Sequence, residues 1–374
     1  MKKDSIFRPS TVLLEKGAED TPTARRVLGN CPDIPRLTVS GRREVEERIA
    51  GVVDPVGEGK KVLFLSRHKG SFIKPCPCTA RYIGCSYFII NSVLNCPLDC
   101  TYCILQLYLG GGPLTVFCNL ERLWTEIDRL LAKTRGRPVR IGTGELSDSL
   151  ALDHLTGASG ELVAFFRQRP RAILELKTKT ADLERLLRLR PAENVVVSWS
   201  LNPDAVVGQD EAGAPPVGAR LEAAAEATRR GFPVGFHFDP LILFRGWEEA
   251  YGRLIDSLFR SVPARRIRWI SLGSLRFPPA LKGIIEARFP ESRLVHAELV
   301  PGRDGKLRYF KPLRLELYRK IVALIRHAGG REIPLYFCME DSEVWERVLK
   351  WRPRRKADVE LSLSPRSVGS KSVP

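Results

Sequence analysis

Cys96-Pro97-Leu98-Asp99-Cys100-Thr101-Tyr102-Cys103 is the stretch from which the rest of the chain is read. Three thiols stand at C-x3-C-x2-C spacing, and an aromatic residue precedes the third. A loop this short brings its thiolates to three irons of one [4Fe–4S] cube. Ferredoxin-type spacing adds a fourth Cys to close the cluster. None follows nearby, so one iron is left open for a further ligand. A structural zinc site would instead show C-x2-C pairs and four protein ligands. The loop therefore reads as an open Fe–S site, the counterpart of a catalytic metal centre that keeps a vacant position.

Around this loop the hydrophobic pattern becomes regular. Apolar, β-branched runs at 87–93, 139–143, 173–178, 195–201, 234–238 and 267–272 predict strands. Amphipathic stretches at 120–133, 152–167, 181–189, 218–230, 247–261 and 279–288 predict the helices between them. Alternation of this kind builds βα units on a parallel sheet. Six units predict an α/β fold, a partial (β/α)6 barrel of the TIM type. Sites in such barrels lie at the C-terminal ends of the strands, and the cysteine loop follows the first strand.

Outside the barrel, residues 1–75 read as an N-terminal extension. Positions 1–40 are turn-rich without a strong period, 44–49 predict a short helix and 61–66 a strand. Barrel and cluster loop occupy 76–290. Residues 291–351 form a C-terminal hairpin and helical cap: a hairpin over 298–309 turning at Gly302-Arg303-Asp304-Gly305, a helix over 313–327, a strand over 335–338 and a helix over 341–349. Residues 352–374 are basic with little to bury and predict a disordered tail.

With 374 residues the chain buries a substantial core. Its formal charge of +17 favours a polyanionic partner such as nucleic acid, although part of that charge lies in the tail. No apolar run approaches a membrane span, and the Met-Lys-Lys-Asp start lacks a signal core. The nine cysteines are odd in number and clustered in a chain too large to need staples. That argues for metal chemistry in a reducing compartment, and the expected location is the cytoplasm.

Several strand ends carry polar residues. Gly142-Thr143-Gly144-Glu145 closes the second strand, where glycine admits a ligand close to the backbone and a carboxylate accepts an ammonium. Ser147, Asp148, Ser149, Asp153 and His154 follow; for Asp148, Ser149 and Asp153 helix capping is the expected role. Lys177 and Lys179 share one face at the end of the third strand, so one of them reaches the site. Ser200 ends the fourth strand. His237 and Asp239 face one way at the end of the fifth, as candidate contacts to substrate or cofactor.

The cysteine loop resembles that of the radical S-adenosylmethionine (SAM) superfamily. Its surroundings resemble one branch, the spore photoproduct lyase family of DNA repair enzymes. Cys-Thr-Tyr-Cys-Ile-Leu-Gln (100–106), Glu-Leu-Ser-Asp-Ser (145–149), Leu-Lys-Thr-Lys (176–179) and Tyr-Phe-Cys-Met-Glu (336–340) before Val344-Trp345 carry that likeness, which runs from about Lys69 to Trp351. The resemblance implies the same partial barrel. It also implies a [4Fe–4S] cluster on Cys96, Cys100 and Cys103 whose open iron chelates SAM and whose electron splits it to a 5′-deoxyadenosyl radical. Gly144 and Glu145 would then hold the amino group of SAM, Lys179 and Ser200 would contact its carboxylate, and Ser147 would assist. Tyr102 and Glu145 are the expected catalytic residues. The implied partners are DNA carrying a thymine photoproduct and a low-potential electron donor such as flavodoxin or ferredoxin.

Two positions depart from the family pattern. The lyases carry a hydrogen-donating Cys on the loop after strand two, where this chain has Glu145. They also carry a Tyr after the third cluster Cys, where this chain has Ile104. Neither side chain relays a hydrogen atom. Outside the cluster loop, Cys76, Cys78 and Cys85 form a group with three readings: a second metal or cluster site, one redox-active thiol near the site, or three reduced structural thiols. Arg303, Lys306, Arg308, Lys311 and Arg314, with Tyr309 and Phe310 interleaved, form the expected DNA contact: cations for phosphates and an aromatic for an extruded base. A radical SAM enzyme with a non-DNA substrate, and a DNA-binding Fe–S protein without turnover, are the alternative readings.

Overall fold

The computed structural model describes residues 6–79, 82–134 and 136–363. Its principal sheet has eight strands, numbered here in chain order: β1 (Ile73–Pro75), β2 (Phe88–Ile90), β3 (Val139–Gly142), β4 (Ala172–Thr178), β5 (Val195–Ser200), β6 (Val234–Leu241), β7 (Ile267–Ser274) and β8 (Leu335–Phe337). Their spatial order follows the chain from β1 at one edge to β8 at the other. β2 to β8 are parallel neighbours, and β1 joins β2 antiparallel. The sheet curls into the expected partial barrel. Strands such as Val195-Val196-Val197-Ser198-Trp199-Ser200 are buried along their whole length, because helices cover one face and the barrel interior fills the other.

The predicted strands lie where the hydrophobic runs placed them except the first, expected over 87–93, which is divided into Phe88–Ile90 in this sheet and Val93–Leu94 in another; the helices differ more. The stretch expected as one helix over 152–167 is two, Asp153–Thr156 and Ala158–Arg167, broken at Gly157 in the left-handed region. The helix expected over 181–189 shrinks to Glu184–Leu187.

Three larger corrections follow. Residues 1–40 are not merely turns: Thr11–Glu15 and Arg36–Val39 are parallel strands that flank one another beside Val62–Ser66. Leu114–Phe117 pairs with Val62–Ser66 and Val93–Leu94 pairs with Leu114–Phe117. This second sheet therefore draws strands from both sides of the expected boundary at residue 75. Strand β8, expected inside the cap, pairs with β7 and extends the barrel by one parallel strand. The expected disordered tail begins instead with a helix, Lys356–Leu363, whose Val359 and Leu363 are buried in the main core. Those two residues, four apart, share one face, while Leu361 of the same helix is exposed. They pack at the N-terminal end of the barrel near Pro138, Arg140 and Ile173. Residues 364–374 of that expectation lie outside the described residues. Among the described residues no helix is long and apolar enough to cross a membrane.

Inside the barrel lies a polar hub. Glu175 Oε1 accepts from Ser198 Oγ at 2.6 Å, faces His237 Nε2 at 2.8 Å and accepts from Trp269 Nε1 at 3.0 Å. Arg140 sits among the rings of Tyr87, Trp269 and Tyr336, about equally far from each (4.9, 5.0 and 4.9 Å). Against burial, which works the other way, His237 and Arg140 hold the Glu175 carboxyl well below its usual range.

Candidate active site

The cysteine loop leaves the C-terminal end of β2 and is fixed by its own backbone first. Asn95 adopts a left-handed conformation, which Asn tolerates better than most residues. Its side chain donates to Gly112 O at 2.7 Å and accepts from the Cys96 amide at 2.8 Å. The Cys103 amide donates to Cys100 O at 3.1 Å, and Gln106 Nε2 donates to the carbonyls of Cys100 and Thr101 at 3.1 and 2.9 Å. Asp99–Cys100 also pairs antiparallel with Glu211–Ala212.

Two cations from elsewhere in the chain clamp the same loop. Lys60 is buried; its Nζ donates to Cys96 O at 3.1 Å and to Leu98 O, and lies 3.4 Å from Asp99 Oδ1. Arg288 spans Asp54 (2.9 and 3.0 Å) and Asp99 (3.1 and 2.8 Å) and also reaches Gln106 Oε1. Neither was legible in the sequence, because each lies far from the loop in the chain.

Cys96, Cys100 and Cys103 open onto a cavity of about 190 Å³ at the C-terminal ends of the strands. Tyr102, Gly144, Glu145, Ser147, Lys179 and Ser200 line it too, so the residues that the family resemblance set around the cluster and SAM border one space. Burial pushes the Cys96 thiol up to about 12 and raises that of Cys100. Gly144 leaves room for Lys177: a Cβ built there would lie 2.6 Å from Lys177 Cβ and 2.8 Å from Lys177 O. Both lysines of β4 and its following turn reach the cavity. Lys177 pairs with Glu145 Oε1, which was not foreseen. Lys179 stands 5.7 Å from the Tyr102 ring centre, and its amide donates to Asp148 Oδ2 at 2.6 Å.

Asp148 organises the loop rather than capping a helix: its Oδ1 accepts from the amides of Leu150 and Ala151, both at 2.9 Å, while the N-cap positions of the next two helices are Leu152 and Gly157, without a side-chain cap. Asp153 accepts from the Ser159 amide at 2.8 Å in the first turn of helix Ala158–Arg167. His154 turns to Phe7 O at 2.7 Å, away from the cavity. His237 points into the barrel hub, while Asp239 lines the cavity and is forked by Arg276 at 2.9 and 3.2 Å. Tyr102 donates its hydroxyl to Glu211, which also accepts from Asn202 Nδ2 at 3.0 Å and pairs with the fully buried Arg220 at 2.6 Å. Against burial, Lys179 and Arg220 keep Glu211 below its usual range. Glu211, Asn202 and Arg276 carried no sequence signal beyond residue type.

The expected DNA segment needs correction. Arg308 is 1% exposed, forks onto Asp304 at 2.8 and 2.9 Å and stacks 4.4 Å from the Tyr82 ring centre. Tyr309 is equally buried, in a small core with Leu275, Phe277 and Leu281, and its hydroxyl accepts from the Leu243 amide at 3.0 Å. On the short strand Leu307–Tyr309, pairing on both sides with Arg276–Phe277 and Leu299–Pro301 withdraws these side chains from the surface. Arg303 is exposed; Lys306 and Lys311 are half-buried, Lys311 paired with Asp341 and Glu343 at 3.1 and 2.6 Å. Phe310, not Tyr309, is the exposed aromatic of the hairpin.

Comparison with known proteins agrees with this architecture. The family model described as "Spore photoproduct lyase" matches residues 85–312, well over half of the chain. The spore photoproduct lyase of Bacillus subtilis is 28% identical over 55% of this chain and 61% of its own length. That of Clostridium acetobutylicum is 22% identical over 78% of this chain and 85% of its own. The match to the Bacillus protein thus spans about three-fifths of that relative. A solved spore photoproduct lyase complexed with dinucleoside spore photoproduct superposes with a TM-score of 0.78 at 23% identity, covering 89% of this chain and 100% of that one. A variant holding AdoMet and the same dinucleoside gives the same TM-score, 0.78, at 23% identity over the same shares of both chains. At this identity the superpositions speak for the fold alone, the curled partial barrel. With the family model running from Cys85 through the cluster loop, barrel and hairpin, the chain belongs to the spore photoproduct lyase family.

Proposed function

We propose that the protein is a radical SAM enzyme that acts on damaged DNA of the thymine-photoproduct class. The observation that carries this reading is the single cavity where the three loop thiols meet Gly144, Glu145, Ser147, Lys179 and Ser200. Three thiols from one tight loop, with no fourth Cys in the lining, suit a [4Fe–4S] cube with one open iron. Among the described residues no group of three or more His, Cys, Asp and Glu side chains is gathered to hold a single metal ion.

Cys96, Cys100 and Cys103 would hold the cluster. Together cluster and SAM supply hydrogen-abstracting radical chemistry, and the protein supplies placement and shielding. Glu145, steadied by Lys177, is set to accept the ammonium of SAM, since a carboxylate takes several donors at once. Lys179 faces the carboxylate, and Ser147 and Ser200 offer hydroxyls. Tyr102 acts by position: its hydroxyl is committed to Glu211, and its ring supports Lys179. An electron donor of the flavodoxin or ferredoxin kind would complete the cycle. Arg303, Lys306 and the exposed Phe310 remain the hairpin residues suited to DNA, with Lys311 beside them.

A second reading has one specific observation in its favour. Glu145 and Ile104 both border the cavity, at the two positions where the family resemblance implies a hydrogen-donating Cys and a relaying Tyr. The same chemistry on a different substrate would need neither.

The deciding experiment gives anaerobically reconstituted, reduced protein SAM with spore photoproduct DNA, other ultraviolet-damaged DNA, undamaged DNA or no DNA. Mass spectrometry then follows 5′-deoxyadenosine and released bases. Lesion-dependent loss of photoproduct is the expected result. DNA-independent 5′-deoxyadenosine would move the substrate elsewhere, and an intact cluster with no cleavage would leave a DNA-binding protein.

A further inference from the structure

Outside the cluster loop, two thiols are set facing one another. Cys76 and Cys78 flank Pro77, and the Cys78 amide donates to Cys76 O at 2.7 Å, closing a three-residue turn that proline's fixed φ suits. The turn brings the two sulfurs to 4.0 Å. Gly84 permits this packing, since a Cβ there would lie 2.9 Å from Cys78 Sγ. Both thiols line an open cavity of about 310 Å³ with Tyr87, Arg137, Lys356 and Glu360. We propose that Cys76 and Cys78 are a second redox site, a dithiol–disulfide couple that exchanges with low-molecular-weight thiols entering this cavity.

The surroundings divide the roles. The hydrogen bond shared with Cys76 and the Lys356 ammonium lower the Cys78 thiol to about 6, although burial and Glu145 oppose them; the Cys85 amide assists. Cys76 is raised by that same bond, by burial and by Glu145, Cys78 and Cys338. Cys78 is thus the attacking thiolate and Cys76 the resolving thiol, the arrangement of redox-responsive cysteines. Cys78 attacks a partner disulfide, whose S–S bond breaks and releases one thiolate. Cys76 then attacks the mixed disulfide at Cys78 Sγ, and its proton passes to the departing sulfur as the second partner thiol leaves. The protein loses two protons and two electrons, and the partner disulfide gains both as two thiols.

The test uses full-length, cluster-reconstituted protein under anaerobic conditions with glutathione disulfide as probe. Peptide mass mapping is expected to find a Cys76–Cys78 disulfide that reduced glutathione reverses. At pH 7, iodoacetamide should label Cys78 on the order of tenfold faster than the buried Cys31. Lys356→Ala should slow that labelling severalfold, and Lys356→Arg should restore it, which guards against misfolding of cysteine variants. Absence of the disulfide, equal labelling of Cys78 and Cys31, or a metal ion lost only in the Cys76→Ser/Cys78→Ser protein would overturn the proposal. None of these readouts needs SAM or DNA, so they fail or succeed independently of the radical chemistry.

Discussion

Gly144 and Glu175 show how single side chains are constrained from opposite directions. Any Cβ at position 144 meets Lys177 at 2.6–2.8 Å, and part of that clash is with backbone, which cannot rotate away. Gly144→Ala is therefore expected to fold but to displace the Lys177–Glu145 pair and weaken SAM binding at least tenfold, about 1.4 kcal/mol, by calorimetry. Glu175 is held by three partners in the dry barrel interior. Removing one member of such a buried network costs about 3 kcal/mol, so Glu175→Gln should lower unfolding free energy by that order at pH 7. Its carboxyl is depressed in the folded state. The stabilisation it gives is present above the unfolded carboxylate value near ~4.3 and is lost as pH falls toward the depressed one. Urea unfolding of parent and variant should converge as the pH drops below about 4.3. A constant gap would remove the charge from the explanation.

Among the elements, the cysteine loop depends on parts remote in sequence. Lys60 comes from the second sheet's end of the chain, and Arg288 from the last turn of helix Pro279–Arg288. Lys60 donates to two loop carbonyls and faces Asp99, while Arg288 ties Asp54 to Asp99 across the loop's base. Lys60→Met and Arg288→Ala should leave the barrel folded but shed iron faster, roughly tenfold in the decay of cluster absorbance during chelator challenge. Parent-like iron retention would show that the loop's own hydrogen bonds suffice. The C-terminal helix offers a second case. Val359 is fully buried where the helix closes the barrel's lower end, so Val359→Asp should cost about 3 kcal/mol in thermal or urea unfolding by burying an unpaired charge.

Taken together, the charge of +17 is distributed unevenly in what it can do. Arg308 and Arg314 are spent inside, against Asp304 and Glu340. Arg303 is exposed and Lys306 half-buried at the hairpin. If the hairpin meets DNA, Arg303→Ala and Lys306→Ala should each reduce the salt slope of duplex binding by about 1. Arg308→Ala should instead lower stability, and leave the slope of whatever protein remains folded unchanged. Equal slopes for all four proteins would place the DNA contact elsewhere.

The partial barrel, its strand order and the cluster loop after the first strand were legible because their signals are local: apolar period, turn residues and cysteine spacing. The strand-end residues Gly144, Glu145, Ser147, Lys179 and Ser200 were singled out by the family resemblance, and a parallel barrel, which delivers its C-terminal strand ends to one mouth, gathers them. Of the second sheet only the strand over 61–66 was foreseen; the rest escaped because its strands are two to five residues long and come from both sides of the first barrel strand. The C-terminal helix escaped because two apolar residues decide it. Which cations face solvent and which are buried was decided only in the tertiary structure. Charge is visible in any sequence, but its desolvation and pairing depend on partners such as Asp304 for Arg308, Glu145 for Lys177 and the loop carbonyls for Lys60.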